Sequence, residues 1–341
     1  MKKKFLSSLN FVVFFLIGIF LLYLVFRKVN IQQVLGQIFE ANYWWVLLSF
    51  ICAFISHFAR ALRWNILINS MGHKTRAFST FYAVMIGYFA NMAIPRLGEV
   101  SKCGVLHKKD GIPFDSLLGS VVAERVFDLF VLLVLIFTVI VFQMKLVGGF
   151  VNQLVVEPLV SKFSNNISAI LIAGGIIMAM ILACVILYRV YNERLQQSEL
   201  FNKIKGFLKG FMDGAKTIWK LEKRFAFLFY TFIIWFMYFL MTYVVFFAMD
   251  ATSSLTIIDG LTVLAIGSLG MVAPVPGGIG AYHFIVKALL FELYLIPNDI
   301  AASWATMVHA SQSLLIVFLG TFSYFMILSM KRKSNEQPQP N

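Results

Sequence analysis

Long apolar runs, separated by short basic segments, constrain this chain more than any other feature. A helix needs about 20 apolar residues to cross a bilayer. The strongest candidates are residues 9–26, 43–60, 116–143, 168–190, 225–249 and 300–330. Of the 341 residues, 60% are hydrophobic and 13% are charged, whereas soluble domains carry roughly 25% charged residues. We therefore predict an all-α, polytopic transmembrane helical bundle with no soluble enzyme domain.

Basic residues collect where cytoplasmic loops are expected. The formal net charge is +13, and Lys and Arg concentrate at both chain ends and in the loops at 60–76, 96–116 and 189–224. Such loops mark the cytoplasmic side of a membrane protein. The pattern predicts cytoplasmic termini and an anionic membrane surface, rather than nucleic acid, as the partner. Residues 200–222 read as a basic interfacial helix that either anchors its loop or recruits anionic lipid.

The N-terminus imitates a signal peptide, since Lys2, Lys3 and Lys4 precede an apolar run. No small-residue cleavage site follows this run, so a retained first helix is predicted. The cysteines, Cys52, Cys103 and Cys184, have no metal-binding or disulfide spacing and are interpreted as packing residues.

Two weaker apolar segments, 77–94 and 257–295, are interrupted by Pro and Gly. If each spans the bilayer once, basic loops fall on opposite sides; the conflict disappears if each segment enters and leaves on the same side. The layouts correspond, and the segments enter from opposite faces, which predicts two inverted, broken re-entrant hairpins. The inverted halves lie at about 43–143 and 225–330, within one domain over 1–330 and ahead of a disordered cytoplasmic tail at 331–341. The alternative is that Pro and Gly only kink the helices.

Three short blocks carry a resemblance to a known family. They are Pro95-Arg96-Leu97-Gly98-Glu99, Glu124-Arg125-Val126-Phe127-Asp128 and Pro276-Gly277-Gly278-Ile279-Gly280. In order and spacing the chain resembles the transmembrane domain of lysylphosphatidylglycerol synthase/flippase proteins and their stand-alone relatives. The resemblance implies movement of lipid between leaflets in a bacterial cytoplasmic (inner) membrane. Because the chain ends at Asn341, without the synthase domain of the two-domain members, lysyl transfer is not expected.

Charged residues at the first break and in the following span form one candidate substrate site. Charges in the bilayer centre are costly and usually pair or face water. Arg96, with its bidentate donors, suits phosphate, whereas a solvated loop with a local salt bridge between Glu99 and Lys102 is the alternative. Glu124 and Asp128, four residues apart, share one helix face, and Arg125 can reach Asp128. The three residues either hold a headgroup or form an ion-pair network that fixes helix packing. These six residues are candidate substrate-binding residues.

The second break supplies the other candidates. Gly277, Gly278 and Gly280 precede a helical arm whose amides would favour an anion. Lys287 lies on that arm and is expected to meet Glu124, Asp128 or a lipid phosphate. His283 is included as a substrate-binding candidate, although a packing role is the alternative.

The sequence thus predicts a flippase- or scramblase-like transporter of a phospholipid or polyprenyl-phosphate-type lipid. No catalytic residue, cofactor or metal is expected, and a homo-oligomer is left open. One alternative is an intramembrane transferase on a lipid-linked substrate. The other is a non-transporting scaffold for a lipid or envelope synthase.

Overall fold

The computed structural model describes residues 2–27, 29–143 and 221–330, and all regular elements in these ranges are helices. The chain divides into two compact units, one of residues 1–139 and 218–341 and the other of residues 140–217; the first is described here. Its helices are α1 (Lys2–Phe26), α2 (Ile31–Glu40), α3 (Tyr43–Ser70), α4 (Ala77–Ala93), α5 (Leu97–Asp110), α6 (Phe114–Phe142), α7 (Arg224–Tyr243), α8 (Ile257–Val272), α9 (Ala281–Ala288) and α10 (Asn298–Ser329). Short 3-10 helices lie at Val244–Ala248, Asp250–Thr252 and Pro276–Gly278, and a π-helical turn at Leu289–Leu293.

Several described helices are long and apolar enough to cross a bilayer. They are Tyr43–Ser70, Phe114–Phe142, Arg224–Ala248 and Asn298–Ser329, and the pair Phe15–Phe26 and Ile31–Glu40, bent by 88°, can be counted as one more. Large apolar side chains stay exposed on these helices, such as Phe137 on α6 and Phe318 on α10. Such a surface is stable against hydrocarbon rather than water. The predicted transmembrane helical bundle is confirmed.

Buried tryptophans mark two interior contacts of the bundle. Trp64 on α3 and Trp304 on α10 are both fully buried. Trp64 Nε1 donates to Ser120 Oγ on α6 at 2.9 Å, and Trp304 Nε1 donates to the Val245 carbonyl oxygen at 3.1 Å. Each indole therefore buries its ring and satisfies its donor, and so ties distant segments of the chain together.

The first predicted break separates α4 from α5. The chain turns at Arg96, which has a φ of 67°, and Gly98 then starts the return arm. The Gly98 amide donates to Asn91 Oδ1 at 2.6 Å. A Cβ at Gly98 would overlap the Gly87 carbonyl and the Asn91 side chain, so glycine lets the two arms pack at backbone distance. The result is a helix–break–helix hairpin whose tip is polar.

The second break separates α8 from α9. Three of its glycines have backbone conformations that other residues rarely adopt. Gly277, Gly278 and Gly280 have φ values of 57°, 73° and 84°. The tip is packed closely, because a Cβ at Gly280 would overlap the Gly18 carbonyl on α1. A Cβ at Gly277 would lie 3.6 Å from the α-carbon of Met92 at the end of α4. The tips of the two hairpins are therefore in contact.

Two loop predictions are wrong. Helix α3 continues to Ser70, so Arg60 and Arg63 are helical and buried rather than part of a basic loop at 60–76. Helix α5 occupies 97–110, most of the segment predicted as a basic loop at 96–116, although this helix supplies the shorter arm predicted after the break. Charged residues ended the apparent apolar runs, but Arg and Lys are good helix formers and here face carboxylates.

Some predictions lie outside the described residues. These are the span at 168–190, nearly all of the basic helix at 200–222 and the tail at 331–341.

The hairpin geometry leads to a prediction about topology. If both broken hairpins are re-entrant, cysteines at Arg76 and Lys108 label from one side of the membrane, and cysteines at Ser254 and Glu292 label from the other. All four positions are exposed. Labelling of a cysteine-free background with a membrane-impermeant maleimide, before and after permeabilisation, measures this. Opposite-side labelling of Arg76 and Lys108 would show that the first hairpin crosses the bilayer.

Candidate functional site

Helix α3 contributes two arginines to the interior of the bundle. Arg60 and Arg63 are three residues apart, so both project from one face of the helix. Their side chains are 4% and 0% exposed. A buried guanidinium is costly unless it is paired, and the partners are the carboxylates of α6.

Glu124 is the centre of the site. Its Oε1 accepts from Arg60 Nη1 at 3.0 Å and from Arg63 Nη2 at 2.9 Å. Its Oε2 accepts from Lys102 Nζ at 3.0 Å. The Glu124 side chain is 0% exposed. One buried carboxylate thereby joins α6 to α3 and α5.

Asp128 extends the network by one helical turn. Its Oδ2 lies 2.7 Å from Arg60 Nη1, and its Oδ1 lies 2.7 Å from Arg63 Nη2. Arg125 Nη1 is 3.9 Å from Asp128 Oδ2. Glu124 and Asp128 therefore lie on one face of α6, as predicted, and their carboxylates pair with both Arg60 and Arg63.

A second, more open ion pair lies beside this core. Arg125 Nη2 is 3.1 Å from Glu99 Oε1, and the two side chains are 41% and 24% exposed. The alternative pairing of Glu99 with Lys102 is not observed, because Lys102 is 4% exposed and turns towards Glu124. The network thus has a buried inner part and an accessible outer pair.

The charges do not cancel. Among residues 2–27, 29–143 and 221–330, the ion pairs join four basic residues (Arg60, Arg63, Lys102, Arg125) to three acidic residues (Glu99, Glu124, Asp128). With all of them ionised, the network carries one excess positive charge. Uncompensated charge in a low-dielectric interior attracts a mobile anion strongly.

Several buried polar atoms of the network have no hydrogen-bond partner among the described residues, and a small cavity adjoins the outer pair. The buried Nε atoms of Arg60, Arg63 and Arg125, and Oε2 of Glu99, have no hydrogen-bond partner among the described residues. Tyr88, Asn91, Glu99, Lys102 and Arg125 contribute to the cavity wall, together with Val84, Gly87 and Gly98. The cavity holds about 10 Å³ of space for the centre of a water molecule, which is roughly one water. A larger group would have to displace Glu99 or open the hairpin.

Aromatic rings support the cations from the sides that carboxylates do not occupy. Lys102 Nζ lies 4.4 Å from the ring centroid of Trp64, and Arg63 Cζ lies 5.3 Å from that of Phe227. The Tyr238 hydroxyl accepts from Arg60 Nη2 at 3.2 Å. Cation–π contacts of this kind stabilise a desolvated charge.

The second break belongs to a different cluster. His309 Nε2 is 2.8 Å from the Gly277 carbonyl oxygen, and His283 Nδ1 is 3.4 Å from the Gly280 amide nitrogen. The prediction that Lys287 meets Glu124, Asp128 or phosphate is wrong for both carboxylates. Its Nζ donates to the Val25 carbonyl oxygen on α1 at 2.6 Å, because α9 packs against α1.

The predicted site residues therefore fall into two groups. Glu99, Lys102, Glu124, Arg125 and Asp128 come together in one network. Arg96 forms the turn of the first hairpin next to it and is in none of the ion pairs among the described residues. The remaining candidates, Gly277, Gly278, Gly280, His283 and Lys287, belong to the second break and α9.

Arg60, Arg63, Tyr88, Asn91 and Tyr238 were missed by sequence reasoning. The two arginines carried a usable signal, since the apolar pattern of α3 continues past them through Trp64, Ile66 and Ile68. The tyrosines and Asn91 resemble ordinary residues of an apolar helix. As for metals, the described residues contain no group of His, Cys, Asp and Glu arranged to hold an ion.

Comparison with known proteins gives a family match over most of the chain. The family model described as "Lysylphosphatidylglycerol synthase TM region" matches residues 11–320. The "UPF0104 membrane protein PH1989" of Pyrococcus horikoshii is 23% identical over 309 residues, which cover 84% of this chain and 88% of that protein. "Glycosyltransferase AglD" of Haloferax volcanii is 23% identical over 286 residues, which cover 77% of this chain but 46% of that protein. No solved structure matches the chain.

The central carboxylate leads to a stability prediction. Glu124→Gln keeps the volume but leaves Arg60, Arg63 and Lys102 short of a buried counter-charge, and breaking such pairs costs roughly 3–5 kcal/mol. The partly exposed Glu99→Gln should cost about 1 kcal/mol or less. Thermal unfolding in detergent compares the two. Adding Lys102→Gln to Glu124→Gln should recover part of the loss; equal stability of the two single variants would contradict a central role for Glu124.

Proposed function

The chain belongs to the family of the lysylphosphatidylglycerol synthase transmembrane region, and from this premise we propose that it moves a lipid with a phosphate-bearing headgroup between the leaflets of a membrane. An integral membrane location follows from the family and from the apolar helices. One observation carries the proposal. A buried ion network with an excess positive charge adjoins a polar cavity at the tip of a broken hairpin.

The excess charge favours an anionic headgroup. A lipid that crosses the bilayer can leave its acyl or prenyl chains in hydrocarbon, so only the headgroup needs a polar path. A phosphate bearing one negative charge would neutralise the network and remove much of the cost of a charge inside the membrane. Arginine suits this role because its fork donates two parallel hydrogen bonds to phosphate oxygens.

The outer ion pair is where we place the exchange. Oε1 of Glu99 lies 3.1 Å from Nη2 of Arg125, where a phosphate oxygen could also accept a hydrogen bond. Both side chains are partly exposed, so a headgroup can replace Glu99 without breaking the inner network. Lys102 and Asn91 line the same cavity and supply further donors. Glu99 then acts as a stand-in anion that keeps Arg125 paired while no lipid is bound.

The inner residues have a different role in this proposal. Arg60, Arg63, Glu124 and Asp128 form a framework, neutral as a set, that holds α3 and α6 in register. Their ion pairs are buried and short, so they are poorly suited to exchange with each lipid. The sequence left headgroup binding and helix packing as alternatives for these residues. In this proposal Arg125 binds the headgroup, and the inner residues fix the packing.

The two hairpins provide a route to both leaflets in this proposal. We propose that they are re-entrant from opposite sides and that their tips, in contact at Gly277 and Met92, separate the two leaflet openings. Inverted repeats of this kind allow a central site to face each side in turn. We further propose cytoplasmic termini and a bacterial inner membrane as the location. We place the Lys- and Arg-rich loops against anionic lipid.

A lipid-linked transferase is the second candidate. Its support is the name of one relative, a glycosyltransferase, of which the match covers 46%. Such an activity would consume the lipid and form a new covalent product, whereas translocation leaves the lipid unchanged. A scaffold for a synthase would do neither.

Reconstitution tests these functions directly. We expect liposomes that contain the protein to exchange labelled phospholipid or polyprenyl phosphate between leaflets faster than empty liposomes. Mass spectrometry of the recovered lipid then distinguishes translocation from transfer. An unchanged exchange rate with every phosphate-bearing lipid tested would argue against transport.

Arg125 provides the sharpest variant. Arg125→Ala should lower the exchange rate roughly tenfold or more, since a charged hydrogen bond to phosphate contributes about 1.5–3 kcal/mol. Arg125→Lys should retain part of the rate, because the charge remains but the fork is lost. The exposed loop variant Lys74→Ala is the matched control for loss of one positive charge. If Arg125→Ala folds and exchanges lipid at the control rate, Arg125 is not in the substrate site.

A further inference from the structure

Two histidines, His283 and His309, contact the backbone of the second break. His283 on α9 and His309 on α10 lie on either side of the glycine turn, with ring centroids 4.7 Å apart. They are 6% and 8% exposed. Each ring contacts the backbone of the break: His309 contacts the Gly277 carbonyl oxygen at 2.8 Å, and His283 contacts the Gly280 amide at 3.4 Å.

The backbone partners determine which ring nitrogens carry hydrogen. A carbonyl oxygen only accepts, so His309 must have a hydrogen on Nε2. An amide nitrogen only donates, so His283 must have an unprotonated Nδ1, and its own hydrogen is on Nε2. The observed break therefore requires neutral His283. Protonation of its Nδ1 would remove the acceptor and place two N–H groups against each other.

Within the part of the chain that the structure describes, few other ionisable groups face the pair. On α9, the Tyr282 ring lies 5.4 Å from that of His309, and Lys287 turns its Nζ to the Val25 carbonyl oxygen. The neighbours of the break on α1 and α4 are Gly18, Leu21 and Met92, and those of Tyr282 on α8 are Gly267 and Gly270. No carboxylate of the described residues forms an ion pair with either histidine.

We propose that His283 and His309 form a proton-binding site that couples the opening of the second hairpin to pH. This rests on the proposed transport function and adds control by pH to it. In the closed break both rings are neutral. When the break opens and His283 reaches water, its Nδ1 takes one proton from the aqueous side, and no bond between heavy atoms changes.

The energetics support one proton for the pair. A charged ring among buried apolar neighbours is strongly disfavoured, so the proton binds the open form better than the closed form. By linkage, acid must then shift the population towards the open form. In the closed break, two charged rings 4.7 Å apart would also repel each other, so the closed form excludes a second proton even more strongly than the first.

The break is placed to transmit this change to the phosphate site. Gly277, whose carbonyl is held by His309, packs against Met92. The preceding residue, Asn91, lines the cavity and holds the Gly98 amide at 2.6 Å. Loss of the His283 contact with the Gly280 amide therefore loosens the same glycine turn, whose Gly277 touches Met92 beside the substrate cavity.

Isosteric variants test the coupling in liposomes. His283→Asn keeps an acceptor where Nδ1 stands, and His309→Gln keeps a donor where Nε2 stands, but neither new side chain titrates. The wild-type lipid exchange rate should rise by up to about tenfold per pH unit of acidification in the range where the single proton binds. The double variant should exchange lipid at the wild-type alkaline rate with no such rise. The control His73→Asn should keep the wild-type profile, and a double variant with that profile would overturn the proposal.

A second measurement separates this proposal from transport itself. Nitrogen NMR of histidine-labelled protein in nanodiscs reports the tautomers without any lipid movement. We expect both rings as Nε2–H at alkaline pH, and a doubly protonated His283 ring on acidification. An Nδ1–H tautomer of His283 at alkaline pH would overturn the proton site. If instead the NMR result is as expected but no lipid moves at any pH, the transport function fails and the proton-sensitive break stands.

Discussion

The buried carboxylate of Glu124 is the interaction on which the rest of the polar architecture depends. It compensates two arginines of α3 and the lysine of α5 at about 3 Å each, from a position about 15 Å along α6. Hydrocarbon provides no other solvation for these cations. Helices of distant sequence segments are thus brought together by charge.

The same constraint applies to the broken hairpins if they are re-entrant as proposed, because a membrane interior does not solvate free backbone groups. At the first break, Asn91 accepts from the Gly98 amide. At the second, His309 and His283 serve the backbone of Gly277 and Gly280. Side chains of neighbouring elements therefore replace the hydrogen bonds that the interrupted helices lack, and each interruption is coupled to whatever changes those side chains.

The fold class and the breaks could be predicted from the sequence because they follow from local patterns: apolar runs of spanning length, and Pro and Gly within them. The inner half of the network could not. Arg60 and Arg63 lie where an apolar run meets a basic stretch, and only tertiary contact with α6 makes them interior residues. The prediction for Lys287 was wrong for a different reason. Its Nζ donates to a backbone carbonyl of α1, and a sequence does not show which carbonyl groups lie near a side chain.

The separation of the network into a buried core and an exposed pair suggests how one site can be both rigid and exchangeable. If every cation met substrate, each transport cycle would break several desolvated ion pairs, at a cost of several kcal/mol for each buried charge left uncompensated. If none did, no cation would be available to the headgroup. In the proposed transport cycle, Arg125, which is paired with the partly exposed Glu99, avoids both difficulties: one accessible pair would be exchanged, and the inner carboxylates would keep the remaining cations in place throughout.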